Sequence, residues 1–212
     1  MKKLSLVLIC LAFWGTGCST GYRVYINGYS EQAEAIKPNA ALYVDANDTT
    51  SRNPVFDNQI KAKIETLLRL NNYVPVPDIN EAEYVITFRV GVSSHEYHYY
   101  EPFYHTYFGF HSGYRHGGYG FGYTTFVPYY DTYYDRWLSM TVSQRGGTAG
   151  TSSEKVIWVG DAVISTNGED LRRVIDYLIV GCFDYFGIDT IRRKSIIVSE
   201  NDPKILDIQN IR

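Results

Sequence analysis

Alternating apolar and polar positions mark the strands of this chain. The longest alternation covers residues 84–93, and two more cover residues 137–144 and 156–165. A period of two places successive side chains on opposite faces of a strand, so each run is predicted to bury one face. The Gly/Thr/Ser-rich residues 146–153 lie between the last two runs and predict a hairpin loop. Residues 41–45 form a shorter strand-like run.

Two segments instead repeat apolar residues every three or four positions, which is typical of a helix with one buried face. The first covers residues 54–70 and follows Asn53, a residue type that caps helix N-termini. The second covers residues 168–186 and overlaps the capping-box sequence of residues 166–169. Both helices are therefore predicted to pack on a sheet through a single apolar stripe.

The order of these elements predicts an α+β fold. We expect a two-layer sandwich whose mostly antiparallel sheet has about 4–5 strands and carries two helices on one face. The domain is expected to cover residues 41–187, with the proline-containing residues 73–77 as an edge strand. Residues 18–40 are interpreted as a polar tether. Apolar and polar residues alternate at positions 22–26, and this piece is either a strand or part of the tether. Residues 188–212 are interpreted as a tail that packs only partly against the domain, in which residues 196–198 are left open as a short strand.

The N-terminus has the layout of a bacterial export signal. Two lysines precede an apolar run of 11 residues at positions 4–14, and small residues follow up to Gly17 and Cys18. This run is too short to cross a bilayer, which needs about 20 apolar residues. Residues 1–17 are therefore predicted to be a signal peptide that is cleaved between Gly17 and Cys18.

Cys18 resembles the cysteine of the bacterial lipobox. In lipobox proteins the thiol of that cysteine receives a diacylglycerol, and its new amino group is acylated after cleavage. Gly15 stands where lipoboxes prefer an aliphatic residue. Ser19 resembles the signal for export to the outer membrane. An ordinary secretory signal that contains a cysteine is the alternative. Cys10 leaves with the signal peptide, so Cys182 is the other cysteine of the processed chain, and its place on an apolar helical stripe predicts a buried structural thiol.

Three segments and one insert carry a resemblance to a known family. They are residues 67–73, residues 83–88, a Tyr/Gly-rich insert and residues 156–162. With the lipobox, they resemble envelope lipoproteins of Gram-negative bacteria that share a domain of unknown function, with a helix, a Gly-Tyr strand, an Ala-Asp strand and a Trp-x-Gly strand. Asn72 and Glu83 stand where that family usually has glycine and aspartate. The resemblance covers residues 40–187 and implies fold and location, whereas its structural motifs imply no reaction.

Residues 95–134 differ in composition from the rest of the chain. They contain all five histidines and 12 of the 20 tyrosines, and 17 of these 40 residues are aromatic. No periodicity is visible, and the segment joins two predicted strands. Because hairpin loops normally have about 2–5 residues, this segment is predicted to be a long Tyr/Gly/His-rich loop, and such loops are either functional or disordered.

Three interpretations of this insert remain open. It is a low-complexity surface loop, a platform for a partner, or a metal-binding segment. Tyrosine favours the platform because it combines a large amphipathic area with little rotamer freedom, and its ring can stack on sugars. The candidate partner contacts are Tyr99, Tyr100, Tyr104, Tyr107, Tyr114 and Tyr119. The candidate metal ligands are His95, His98, His105, His111 and His116, which would bind without help from cysteine.

Charge and motifs argue against several classes of function. The formal charge of −3 becomes −5 when the two leader lysines are removed, which leaves no basic surface for nucleic acid. The sequence contains no Gly-x-Ser-x-Gly, Walker, Cys-x-x-Cys or dinucleotide-binding motif. Asp161 is a single carboxylate, whereas glycoside hydrolysis needs two. We therefore expect a non-enzymatic protein with no cofactor beyond its covalent lipid.

These features predict a lipid-anchored protein on the periplasmic side of the outer membrane of a Gram-negative bacterium. Its small domain is expected to present residues 95–134 to another envelope protein or to a glycan. The alternative is a periplasmic protein that binds a metal ion through its histidines or is catalytic.

We expect mass spectrometry of the protein purified from membranes to find an acylated, diacylglycerol-modified Cys18 at the N-terminus. The Cys18→Ala variant should accumulate as unprocessed precursor, because the modified thiol is what the cleavage step recognises in lipobox proteins. Cys182→Ala serves as the control and should be processed normally. An unmodified N-terminus, or cleavage elsewhere, would show that the export signal is an ordinary one.

Overall fold

The computed structural model describes residues 20–31, 36–46, 53–105, 123–146 and 154–211, without the side chains of residues 104, 105 and 123. The strands are β1 (Gly21–Ser30), β2 (Ala41–Ala46), β3 (Val74–Pro75), β4 (Tyr84–His105), β5 (Tyr123–Gln144), β6 (Lys155–Thr166) and β7 (Lys194–Ser199). The helices are α1 (Pro54–Leu70), α2 (Ile175–Phe183) and α3 (Pro203–Ile208).

All the described strands belong to one sheet, in the order β3-β2-β4-β5-β6-β1-β7. β2 is parallel to both of its neighbours, and the other pairs are antiparallel. The α+β class is confirmed. The sheet has seven strands, however, where about 4–5 were expected. The two extra strands are β1 and β7, which lie next to each other and come from the segments interpreted as tether and tail.

β1 corrects the interpretation of residues 18–40 as a tether. It pairs with β6 on one side and with β7 on the other, so it is an interior strand of the sheet. Val24 and Ile26 are fully buried. The alternation at residues 22–26 was therefore the signal of a strand. The sequence left it open because the partners of β1 in β6 lie far along the chain, from Ser30 paired with Trp158 to Tyr25 paired with Val163.

The C-terminal segment is also more ordered than the tail predicted for residues 188–212. Its first part forms β7, which pairs along its whole length with β1. α3 follows and buries Ile205 and Ile208 against the hydrophobic core. In β7, Ser195 and Ile197 are exposed, Val198 is buried and the other residues are half-buried. An edge strand with only one buried side chain gives a weak sequence signal, and for that reason the segment looked like a weakly packed tail.

α1 confirms the predicted helix at residues 54–70. The side chain of Asn53 accepts a hydrogen bond from the backbone N–H of Phe56 at 3.1 Å, and proline occupies the first turn. The helix ends at Leu70, and Asn72 adopts a left-handed backbone with φ of 62°. Glycine and asparagine are the residues that tolerate this conformation best, which explains how Asn72 replaces the glycine of the resembling family.

α2 is shorter than the helix predicted at residues 168–186. Thr166 still belongs to β6, and a 3₁₀ turn at Leu171–Arg173 precedes the helix. Asp170, not Thr166, caps this turn by accepting a hydrogen bond from the backbone N–H of Arg172 at 3.0 Å. The capping-box interpretation was therefore wrong, because pairing of β6 with β5 extends the strand into the predicted helix start.

One face of the sheet carries the core, and the helices pack against it. The buried strand residues occupy alternate positions and include Val24, Ile26, Leu42, Val44, Ile86, Phe88, Leu138, Met140 and Ala162. Their helical partners include Ile60, Ile64, Leu67, Val174 and Leu178, with Phe56, Val90, Leu171 and Phe186 only partly buried beside them. The intervening strand positions point to the other side, which we call the open face. Its residues are mostly half-buried or exposed.

Two tryptophan–glycine pairs shape the sheet. Trp158 is buried on the covered face and lies over Gly160, where a Cβ would overlap its indole ring. Its Nε1 donates a hydrogen bond to the carbonyl of Ile188 at 3.2 Å, which attaches the segment after α2 to the sheet. On the open face, Trp137 lies over its cross-strand partner Gly91 in the same way. Glycine is required at both positions because the indole occupies the space of a side chain.

An ion pair joins the two main helices. Nζ of Lys63 in α1 lies 2.6 Å from Oδ1 of Asp176 in α2, and their side chains are only 10% and 17% exposed. Burial raises the pKa of the Asp176 carboxyl, and the hydrogen bond from Lys63 opposes that rise. The attraction between the two charges therefore offsets the free energy that each loses when it leaves water. Either charge alone would destabilise the fold at this position.

β4 and β5 extend far beyond the rest of the sheet. The two strands stay paired as far as His105 and Tyr123, whereas β6 pairs with β5 only up to Tyr134. Residues 95–105 and 123–133 therefore form a two-stranded ribbon, which we call the arm. The prediction of a loop at residues 95–134 is thus wrong for the residues of the arm. Residues 106–122 lie outside the described part of the chain. Periodicity was absent because solvent contacts both faces of the ribbon.

Truncation of a core side chain tests the helix phase. Leu178→Ala is expected to lower the free energy of unfolding by about 2–5 kcal/mol, because the fully buried side chain leaves a cavity. Leu206→Ala is the matched control: Leu206 is 48% exposed. Its loss should stay within about 0.5 kcal/mol. Equal effects of the two substitutions in urea unfolding would contradict the packing of α2.

Removal of one partner of the interhelical ion pair should be costly. Asp176→Leu is expected to destabilise the fold by about 3–5 kcal/mol, because it leaves Lys63 buried without its carboxylate. The double variant Lys63→Met/Asp176→Leu should regain most of that loss, since no buried charge remains. Glu83→Ala, which breaks the exposed pair with Lys37, is the control and should change stability by less than about 1 kcal/mol. A double variant no more stable than Asp176→Leu would exclude desolvation as the cause.

Candidate functional site

The arm is the most exposed aromatic surface that the structure describes. Large rings project from both strands of the ribbon, and most are more than half exposed. They include Tyr97, Tyr100, Phe103, Phe126 and Tyr130, whose exposed fractions lie between 58% and 68%. A two-stranded ribbon is only marginally stable alone in water. Contacts between its side chains therefore contribute to its order.

The tyrosines of the arm divide between its two faces. Tyr97 and Tyr99 continue the open face of the sheet, together with Tyr129 and Tyr133 from β5. The rings of Tyr97 and Tyr133 meet edge to face at 5.5 Å, and those of Tyr99 and Tyr129 stack at 6.0 Å. Such pairs contribute roughly 0.5–1.5 kcal/mol beyond area burial. The open face thus carries a continuous aromatic strip from the sheet onto the arm.

The predicted partner contacts do not form one surface. Tyr99 and Tyr100 are neighbours in β4 and so point to opposite faces of the ribbon. Tyr104 lies near the end of β4, and its side chain is not among those described. Tyr107, Tyr114 and Tyr119 lie outside the described residues. The sequence therefore identified the aromatic segment but not which rings share a face.

The two predicted metal ligands whose side chains are described are separated as well. His95 lies on the open face, whereas His98 lies on the other face and packs edge to face on Tyr130 at 4.9 Å. The side chain of His105 and all of His111 and His116 lie outside the description. Among the described residues, no three His, Cys, Asp or Glu side chains lie close enough together to hold a metal ion.

A cleft lies on the open face at the base of the arm. Its volume is about 550 Å³. We call it the cleft, and it is lined by His95, Tyr97, Tyr99, Tyr133, Asp135, Ser165 and Arg193. Four separate segments supply these side chains: β4, β5, β6 and the residue just before β7. The sheet itself supplies the floor, so the polar groups of the cleft are held on paired strands.

Asp135 is the central polar group of the cleft. Ser165 donates a hydrogen bond from its hydroxyl to Oδ1, and Nε2 of His95 lies 3.1 Å from Oδ2. Serine, histidine and aspartate thus meet, but the carboxylate is in the middle. In a hydrolytic triad the imidazole is in the middle, because it must take the proton from the serine. This arrangement therefore orients a carboxylate for binding and does not activate Ser165.

Arg193 provides a positive charge at the far side of the cleft. Its guanidinium lies over the ring of Tyr25 from β1, 4.3 Å from the ring centre. Pairing of β1 with β7 positions this contact. Sequence reasoning missed Asp135, Ser165 and Arg193, because none belongs to a motif. Of the three, only Ser165 stands in a run that alternates with apolar residues, and alternation predicts a face but not a neighbour.

The sequence predicts that Cys182 is a buried structural thiol and that Asp161 is a single carboxylate. Cys182 is fully buried in α2, and this burial, with a smaller contribution from the charge of Asp161, raises the pKa of its thiol. A reactive cysteine needs an exposed and electropositive surrounding instead. Asp161 lies on the open face between Asn27 and Ser139 of the neighbouring strands. Neither residue lines the cleft.

Comparison with known proteins supports the fold. No family model matches the sequence, and no curated protein matches it. Among solved structures, a PDZ domain protein from Parabacteroides distasonis is similar with a TM-score of 0.50 and 15% identity over 90% of this chain. The chain spans 42% of the length of that protein. At this identity, the similarity extends to the fold alone.

A second solved protein aligns more weakly. Two structures of a PelC dodecamer from Paraburkholderia phytofirmans have TM-scores of 0.41 and 0.38, each with 13% identity. They align over 78% and 79% of this chain and over 98% and 99% of their own chains. Within the described residues, no helix is long and apolar enough to span a membrane.

Proposed function

We propose that this protein is a lipid-anchored bacterial envelope lipoprotein with a non-enzymatic, partner-binding role. Its domain presents the arm to another envelope protein or to a glycan. The observation that carries the proposal is the exposure of aromatic rings along the arm, because tyrosine and phenylalanine at this density are characteristic of binding surfaces. The two-layer arrangement, with helices on one face only, leaves the open face available for the same contact.

The first residue of β1 and the base of the arm lie at the same end of the sheet. Cys18 is three positions before Gly21, the first residue of β1, and an extended chain covers at most about 11 Å over three positions. β1 begins beside the last residues of β6, and the arm leaves the sheet where β6 ends. A lipid on Cys18 would therefore hold the base of the arm close to the membrane surface. Partners in or beside that membrane are within its reach.

The lipid itself and the location are part of this proposal. Two or three acyl chains, at about 0.8 kcal/mol per buried methylene, would keep the protein on a bilayer almost permanently. Ser19 favours the outer membrane, and the export signal favours its periplasmic side. The resemblance to the Gram-negative envelope lipoproteins supports the same location.

Removal of the arm tests the proposal. Glu96 and Thr132 are cross-strand partners, so residues 97–131 can be replaced by an Asn-Gly turn without a change in strand register. We expect the shortened protein to fold and reach the membrane, because the core lies elsewhere, and to lose crosslinked partners in cells. Membrane fractionation and thermal unfolding check the first expectation, and mass spectrometry of crosslinked products checks the second.

A second variant keeps the length of the arm and serves as the matched comparison. It carries Tyr97→Thr, Tyr100→Thr and Phe103→Thr, which retain strand propensity and remove aromatic surface. Loss of the same partners would assign the contact to the rings. Retention of every partner by the shortened protein would show that the arm is a passive extension, and the proposal would then be wrong.

A further inference from the structure

We propose that the cleft binds a neutral saccharide, with the rings of Tyr97 and Tyr99 against the sugar and Asp135 as its main hydrogen-bond acceptor. The inference rests on the proposed role of the arm in partner contact and adds the chemical class of a ligand. Four features of the cleft support it. They are the free acceptor capacity of the Asp135 carboxylate, the fixed rings of Tyr97 and Tyr99, the balance of charges and the size of the cleft.

Asp135 has unused acceptor capacity that points to a ligand rich in hydroxyl groups. An ionised carboxylate offers about four acceptor positions, and Ser165 and His95 use one oxygen each. The side chain of Asp135 is 29% exposed, so its remaining lone pairs are accessible from the cleft. Two donors already hold its orientation. A hydroxyl that binds here therefore does not have to order the carboxylate, which lowers the entropic cost of binding.

The aromatic rings of the cleft are held in place before any ligand arrives. Tyr97 is held by its edge-to-face contact with Tyr133, and Tyr99 by its stacking on Tyr129. The hydroxyl of Tyr99 also lies 3.3 Å from Oδ2 of Asp131. Tyr97 and Tyr99 remain 60% and 39% exposed, so ring surface is available. The C–H faces of sugar rings are apolar and flat enough to pack on such surfaces.

The charges around the cleft favour a neutral ligand. Asp135 and Arg193 carry opposite formal charges and lie in the same lining. Three tyrosines beside a carboxylate also resemble an aromatic cage for a quaternary ammonium ion. Arg193, however, is held at the cleft by Tyr25 and would repel such a cation. A strongly anionic ligand would in turn meet the fixed charge of Asp135.

The size of the cleft agrees with this class of ligand. Its volume of about 550 Å³ lies within the range of small-molecule sites, roughly 300–1,000 Å³. Tyr129, which stacks on Tyr99, extends the strip of rings beyond the lining of the cleft. An oligosaccharide can therefore occupy the cleft with one end and extend along the arm.

Calorimetric titration of the full-length protein tests this assignment, in a detergent without a sugar headgroup. The probes are an N-acetylglucosamine tetrasaccharide, maltotetraose and choline. We expect saturable binding of at least one tetrasaccharide at one site per chain, and quenching or enhancement of tryptophan fluorescence from Trp137 near the cleft. Choline should bind more weakly than that saccharide.

Variants identify the site. Tyr97→Ala and Asp135→Asn are each expected to weaken saccharide binding by about tenfold or more, as for central residues of a binding site. Tyr29→Ala is the matched control, because Tyr29 is an open-face tyrosine that is 57% exposed but lies near the other end of β1. It should change the affinity by less than about twofold. Thermal unfolding confirms that all three variants fold.

Three outcomes would overturn the assignment: no saturable binding of either saccharide up to about 10 mM, tighter binding of choline, or equal effects of Tyr97→Ala and Tyr29→Ala. These outcomes are distinguishable from failure of the proposed function. If removal of the arm abolishes protein crosslinks but neither saccharide binds, only the cleft assignment is wrong. If the shortened protein keeps every partner in cells, the role of the arm is wrong whatever the titration shows.

Discussion

The position of β1 inside the sheet is the constraint on which the rest of the structure depends. β1 pairs with β6 and β7, so it joins the hairpin strands to the C-terminal segment and buries Val24 and Ile26 beneath α2. The same pairing carries Arg193 to the ring of Tyr25 and so completes the cleft. It also sets the first residue of the domain at the end of the sheet from which the arm extends. Core and cleft therefore share one strand.

The two faces of the sheet differ in what they contact. The helices have enough apolar surface to cover only one of them. α1, α2 and α3 cover one face, where alternate strand positions are almost fully buried. The other face keeps polar and aromatic side chains that water or a ligand can reach. Glycine opposite Trp137, and glycine beside Trp158, let each indole lie flat on its face of the sheet. Each tryptophan–glycine pair in this sheet is thus a packing contact.

Local patterns predicted the elements whose stabilising contacts are close in sequence or strongly periodic. The helix α1, the edge strand β3 and the inner parts of β4, β5 and β6 all followed from spacing, proline and capping residues. The start of α2 was wrong because strand pairing at Thr166 overrode a local capping signal. The outer parts of β4 and β5 were missed because a ribbon exposed on both faces has no buried side and so needs no alternation.

The sequence by itself determined the α+β class and the aromatic segment, because each depends on composition or on spacing within a few residues. Only the tertiary structure decided that residues 21–30 and 194–199 are strands, since each gains its hydrogen bonds from partners far along the chain. The same holds for the cleft. Asp135, Ser165 and Arg193 come from separate strands and segments, and no local pattern encodes their meeting. Sheet order brings them together, and sheet order is a property of the whole chain.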